Sequence, residues 1–350
     1  MNFDKYNFNK LVSINEKLCI TECLYIVFVF CPPKVGSTSL ITSLRVSLPS
    51  SFTILHIHDE LMLNVLCNIT DITINEIIEF NRDLGKTVYV IDIFRTPIEH
   101  KISYFFENIS YHFNNTEELI NNYDINLVIQ RFNKLFPYLC NTDYYRQIYN
   151  IPLIDTFDIK HKYLYQNINN VKYIKLRLDD FETWSSILFN IFGIHIYTIK
   201  EYETNKKMIS SLFKKFKENY DLPINFFHDI NNEKLDYYLS IEEKNKYINK
   251  WANKITDYFT PFTKEEYILY SKISSENQIY FNIQKKHYMD EGCHCHTCST
   301  KRNKIIFKIK NNQEITETDF IIHTKNKKIN NTSNNIIVVQ KKQKKPMFFE

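Results

Sequence analysis

Continuous apolar runs in this chain are separated by stretches where apolar side chains recur every three or four positions. Cys23–Cys31 (CLYIVFVFC) is rich in β-formers and uninterrupted by charge, the pattern of a strand covered on both faces. Leu40, Ile41, Leu44 and Leu48 then repeat at helical spacing. FTILHIH, ending at His58, predicts a second strand, and NEIIEFNRDLG a helix stopped at Gly85, which suits the left-handed position after a last turn. Thr87–Phe94 (TVYVIDIF) predicts a third buried strand, and RTPIEHKISYFFENI a helix with Pro97 in its first turn.

From about Thr116 to Asn170 the sequence is aromatic and reads as helical. Val171–Leu178 (VKYIKLRL) predicts a fourth strand, and DDFETWSSILFNIFG turns into a helix. Residues 201–251 are charged and helical, ending in SIEEKNKYINKW, and no internal repeat is visible. Strands separated by helices predict an α/β fold with a mainly parallel central sheet, a helical middle and C-terminal additions. The expected division is an α/β domain over 1–285 followed by a Cys/His-rich segment and basic tail over 286–350.

Charge sharpens that division. The net charge of +4 is uneven: from Lys301 onward 12 basic side chains face 4 acidic ones, while residues 1–300 hold 32 against 36. A mildly acidic body argues against a nucleic-acid-binding core, which would carry its positive footprint on the fold itself. QKKQKKP reads as a solvated end. No run reaches the ~18 apolar residues of a membrane span, and the first residues lack the pattern of a secretory signal, so the expectation is a cytoplasmic chain without a membrane span. Singly scattered Cys19, Cys23, Cys31, Cys67 and Cys140 fit a reducing compartment.

The chemistry concentrates in CPPKVGSTSL, Cys31–Leu40. A chain with 4 glycines in 350 residues places one, Gly36, beside Lys34 and a run of hydroxyls. A loop from the first strand to the next helix lies at the carboxyl edge of a parallel sheet, where ligands bind. The helix start offers unpaired N–H groups and partial positive charge. Lys34, Gly36, Ser37, Thr38 and Ser39 therefore have the equipment of a phosphate or sulfate cradle, although a Ser/Thr-capped helix start after a lysine explains the same residues without a ligand. The spacing is not the GxxxxGK of an ATP-type loop, because Lys34 precedes the first glycine. Arg95, at the end of the third strand, is placed to grip a second anion, and Ser103 follows about two helical turns later.

With these residues in view, PKVGSTSL resembles the 5′-phosphosulfate-binding loop, and FRTPIEHKISYFF the 3′-phosphate-binding segment, of sulfotransferases that use 3′-phosphoadenosine 5′-phosphosulfate (PAPS). The similarity is to the carbohydrate sulfotransferase type and to related capsular-polysaccharide-synthesis proteins. YIKLRLDDF resembles the strand and acidic turn found later in such domains. The resemblance implies a P-loop-NTPase-like three-layer fold, with Lys34, Val35, Gly36, Ser37, Thr38 and Ser39 on the 5′-phosphosulfate and Arg95 and Ser103 on the 3′-phosphate. It implies transfer of a sulfuryl group from PAPS, leaving adenosine 3′,5′-bisphosphate, to a hydroxyl acceptor, expected to be a carbohydrate. Two departures stand out: Arg-Asp-Pro reads Arg95-Thr96-Pro97, and the basic position three after the proline is His100, which is neutral or charged near pH 7 according to its surroundings.

Such a transfer needs charge stabilisation and a base. Lys34 is expected to neutralise the leaving oxygen and His58, at the end of the second strand, to take the acceptor proton; His56, on the same face, and Asp59 and Glu60 compete for that role. The alternatives are a catalytically silent nucleotide-binding or scaffold protein of the same fold and a P-loop phosphotransferase. A last motif, HYMDEGCHCHTCSTKR, gathers Cys293, Cys295 and Cys298 with His287 upstream, ligand types suited to a structural zinc ion, without the paired CxxC spacing of a ribbon.

Overall fold

In a computed structural model of the protein, β1 (Tyr25–Phe30), β2 (Phe52–Ile57), β3 (Thr87–Phe94), β4 (Leu164–Ile168) and β5 (Val171–Arg177) form one sheet in the order β2-β1-β3-β5-β4. The structure describes residues 5–61, 63, 67–140, 143–149, 157–201, 208–231, 235–277 and 296–316. Parallel pairing joins β1 to β2, β1 to β3 and β3 to β5, and only the edge strand β4 runs antiparallel. The α/β fold with a mostly parallel sheet is thus as the sequence pattern predicts.

Alternation along β1 shows why the run is apolar on both sides. Ile26, Phe28 and Phe30 pack with Leu11 and Ile14 of helix α1 (Lys5–Lys17), while Val27 and Val29 pack with Leu40, Ile41 and Leu44 of α2 (Ser37–Ser47). Ile74, Ile77 and Ile78 of α3 (Ile74–Asp83) join the α1 side, so helices cover both sheet faces. Of the helices that follow, α4 (Pro97–Glu107) and α5 (Ile125–Leu135) lie beyond the sheet, α6 (Trp184–Phe192) packs on its α2 side through Trp184, Ile187 and Leu188, and α7 (Ser210–Asn219), α8 (Ile224–Asn231) and α9 (Ile241–Ala252) join α4 and α5. Phe105, Phe106, Phe132, Phe216, Tyr220 and Trp251 build a separate aromatic core among them. Ser240 and Glu243 close a capping box at the start of α9, and Pro97 opens α4.

The expectation of helix throughout 116–170 is corrected at its end. Leu164–Ile168 is a strand joined to β5 by Asn169–Asn170, both at positive φ (50° and 65°), a two-residue hairpin turn that asparagine tolerates. Its alternating burial, with Tyr165 outward and Gln166 inward, suits an edge.

Later helices are α10 (Lys264–Asn277) and α11 (His296–Lys310); α11 packs back on α2 through Ile305, which meets Val46 and Ile199. The expected boundary at 285/286 and the QKKQKKP stretch, 340–346, lie outside the described residues. Among the described residues no helix is long and apolar enough to cross a membrane.

Candidate anion site at the carboxyl edge of the sheet

The registers set Phe30 beside Ile57, and Phe94 beside Arg177, so the loops leaving β1, β2, β3 and β5 share one edge. The chain leaves β1 over one face, through α2, and β2 over the other, through α3, and then returns past β1 to β3. The end of β1 is therefore the switch point at which open sheets bind ligands.

Two side chains of the second segment hold successive carbonyls of the first. Arg95 Nη1 donates to the Lys34 carbonyl at 2.6 Å, and His100 Nε2 lies 2.7 Å from the Pro33 carbonyl. A carbonyl only accepts, so Nε2 carries the proton. Burial, before any other cause, pushes His100 down to about 3, which settles its charge: it is a neutral donor at pH 7. No peptide in the described chain is cis. In a trans peptide the N–H points opposite to the C=O, so this staple turns the N–H groups of Lys34 and Val35 away from the Arg95–His100 side.

The loop backbone is shaped by two left-handed residues. Gly36 (φ 91°) is the N-cap of α2, whose start has no side-chain cap, and Lys34 adopts φ 67°. A non-glycine residue there costs about 1–2 kcal/mol, a strain that the staple on its carbonyl offsets. A Cβ on Gly36 would lie 2.6 Å from Leu178 Cδ1. The bare α-carbon thus also serves packing against the segment after β5, alongside any approach of a ligand.

The Lys34 ammonium is not pointed at open solvent: Nζ lies 3.0 Å from Glu107 Oε2. His100, Ser103 and Glu107 are spaced i, i+3, i+7 along α4, and the first and last of them touch the loop. Ser103, between them on that stripe, is buried. Arg95 is half-buried, and desolvation lowers its proton affinity, with Glu99 and Asp179 close enough to counter that.

The loop hydroxyls divide. Ser37 is buried and hydrogen-bonds the Cys31 thiol, which burial, and after it Asp92, pushes up. Thr38 is half-buried in the first turn of α2, and the Val35 side chain lies in the core, leaving its backbone for the loop. Ser39 belongs to a ladder that the sequence reading missed. Ser47, Ser43 and Ser39 accept the N–H groups of Tyr197, Ile199 and Glu201 in turn, at 2.8, 2.8 and 3.0 Å. Residues 197–201 thus run as a strap along α2 toward the loop. There Ser39 also donates to the Glu201 carbonyl, and the Glu201 carboxylate accepts from Thr42.

His58 stands at the same edge, its Nδ1 2.8 Å from the Cys31 carbonyl, which fixes the proton on Nδ1 and makes Nε2 the basic nitrogen. Tyr144 donates to the His58 carbonyl, and the His56 ring, buried below, contacts the His58 ring edge-on at 4.5 Å. Much of Glu60 is exposed, but its carboxylate accepts the Ile74 N–H at the start of α3, and partial burial pushes it up to about 7.

Behind the loop, register pairs Asp92 with Lys175, whose Nζ bridges Asp92 and Asp143 at 2.7 Å each, the lysine and Asp92 side chains being 1% and 0% exposed. Tyr238 donates to the other oxygen of Asp143. Arg177 is consumed by Asp180 and a two-pronged contact with Glu243. Both cations are engaged by carboxylates of neighbouring elements.

The zinc expectation is corrected. Among the described residues no group of three or more His, Cys, Asp and Glu could hold a metal ion. His287, Cys293 and Cys295 lie outside the described residues, and the backbone of Cys298 is inside α11, which begins at His296, rather than in a ligand loop. Comparison with models of protein families, with curated proteins and with solved structures finds no match to this chain, so PAPS gains no support from relatives.

Proposed function

We propose that this chain is a group-transfer enzyme of the sulfotransferase kind, moving a sulfuryl group from a nucleotide-activated donor to a hydroxyl acceptor, a carbohydrate hydroxyl by the resemblance, on a P-loop-NTPase-like fold. The observation that carries the reading is the staple. The two segments that resemble the donor-binding motifs lie 61 residues apart, and Arg95 and His100 of one grip the Lys34 and Pro33 carbonyls of the other.

In that reading the start of α2 and the loop N–H groups receive the sulfuryl oxygens, and Lys34 neutralises the oxygen that leaves as its bond to sulfur breaks. The acceptor oxygen forms the new bond to sulfur and gives its proton to His58 Nε2, which the Cys31 carbonyl holds in the base-competent tautomer. A second reading, a silent nucleotide-binding protein, draws on a specific observation: Glu107 already answers the Lys34 charge. Incubating the protein with radiolabelled sulfuryl donor and a panel of oligosaccharides decides between them. Transfer that vanishes in Lys34→Ala supports the enzyme; nucleotide binding without transfer to any acceptor supports the silent form.

A further inference from the structure

We propose that Glu107 sets the charge selectivity of the loop: it is a resident carboxylate that an incoming anion must displace from Lys34, so that ligands with one anionic group are rejected and those with two are admitted. This rests on the anion-site reading above.

The contact joins partly buried groups, 12% and 29% exposed on their side chains, where screening is weaker than at an open surface. Glu107 is the last residue of α4, a helix with no basic residue in its last turn. A carboxylate there opposes the partial negative charge of the helix end, so helix stability does not account for it. Its partner does.

Around the loop, the charges of Lys34 and Arg95 face the carboxyl groups of Glu107, Glu99 and Asp179. A single sulfate or phosphate that took the place of Glu107 would exchange one ion pair for another and gain little. A ligand whose second anionic group reaches the Arg95 side brings an interaction that Glu107 cannot imitate. Repelling the wrong ligand in this way produces specificity that attraction alone would not.

The test is calorimetric titration of the full chain with two probes, inorganic phosphate and adenosine 3′,5′-bisphosphate. In Glu107→Gln, which spares either ligand that displacement, phosphate and bisphosphate affinities are each expected to rise by roughly 5- to 10-fold, the scale of one partly buried ion pair, which brings phosphate into the measurable range. In a Lys34→Ala background the same change is expected to do nothing, which a merely structural role of Glu107 would not produce. Glu107→Ala, a good helix former at that end, provides a second folded variant. Phosphate affinity unchanged from the wild type in both folded variants overturns this inference alone. Failure of the wild type to bind either probe overturns the site reading and this inference with it.

Discussion

Arg95 Nη1 lies 2.6 Å from the carbonyl oxygen of Lys34, so the guanidinium at the end of β3 holds the backbone of the loop that leaves β1. The side chain has a structural duty at the site whatever ligand it also meets. A lysine there keeps the charge but not the planar, fixed N–H geometry that reaches the Lys34 carbonyl.

Arg95→Lys is therefore expected to weaken binding of adenosine 3′,5′-bisphosphate by roughly 10- to 100-fold, the worth of a hydrogen bond from a charged donor. His100→Phe should show a smaller loss in the same titration. If Arg95→Lys binds like the wild type, charge alone matters and the staple does not.

The strap along α2 gives a stability prediction. Ser43 is fully buried, accepts the Ile199 N–H and donates to the Ser39 carbonyl. Ser43→Ala leaves that N–H without its partner at a cost of about 1–3 kcal/mol. Ser47→Ala, at a half-buried position, is expected to cost less. Urea unfolding of the two variants checks the order, and equal costs would deny the ladder its role.

Acid should act through His112. Burial, and then the charge of Arg131, push it down to about 3 from an ordinary 6.5. The unfolded chain thus binds a proton that the folded one refuses: the stability contributed by the neutral ring is present above pH 6.5 and lost as pH falls toward 3. Asp92, pushed up to about 6 chiefly by burial, works in the opposite direction. Comparing wild type with His112→Asn cancels such common contributions. The stability difference between them should shift in favour of the variant by about 2 kcal/mol between pH 7.5 and 5.0, at about 1.4 kcal/mol per pH unit. A difference independent of pH would show that His112 binds its proton equally well in the folded and unfolded chain.

The strands β1, β2, β3 and β5 were legible because buried parallel strands write continuous apolar runs. β4 was not, since an edge strand of tyrosine, glutamine and asparagine writes only a weak alternation, and the Asn169–Asn170 turn was its one local mark. The loop and Arg95 were visible as types and spacing, yet their contact was not, because a bond to a backbone carbonyl leaves no sequence signal. Ser39, Ser43 and Ser47 did leave one, a four-residue hydroxyl repeat on α2. Glu107 also stood in plain sight, four residues after Ser103, but only the folded register of α4 puts it on Lys34.

The most direct test of the central claim is a thermal-shift series with adenosine 3′,5′-bisphosphate on the wild type and Lys34→Ala. A ligand that binds only the folded state stabilises by mass action, about 2.7 kcal/mol at a hundredfold excess over the dissociation constant. A concentration-dependent rise in melting temperature for the wild type, largely lost in Lys34→Ala, is the predicted result; no shift in the wild type, or the same shift in both, would contradict it.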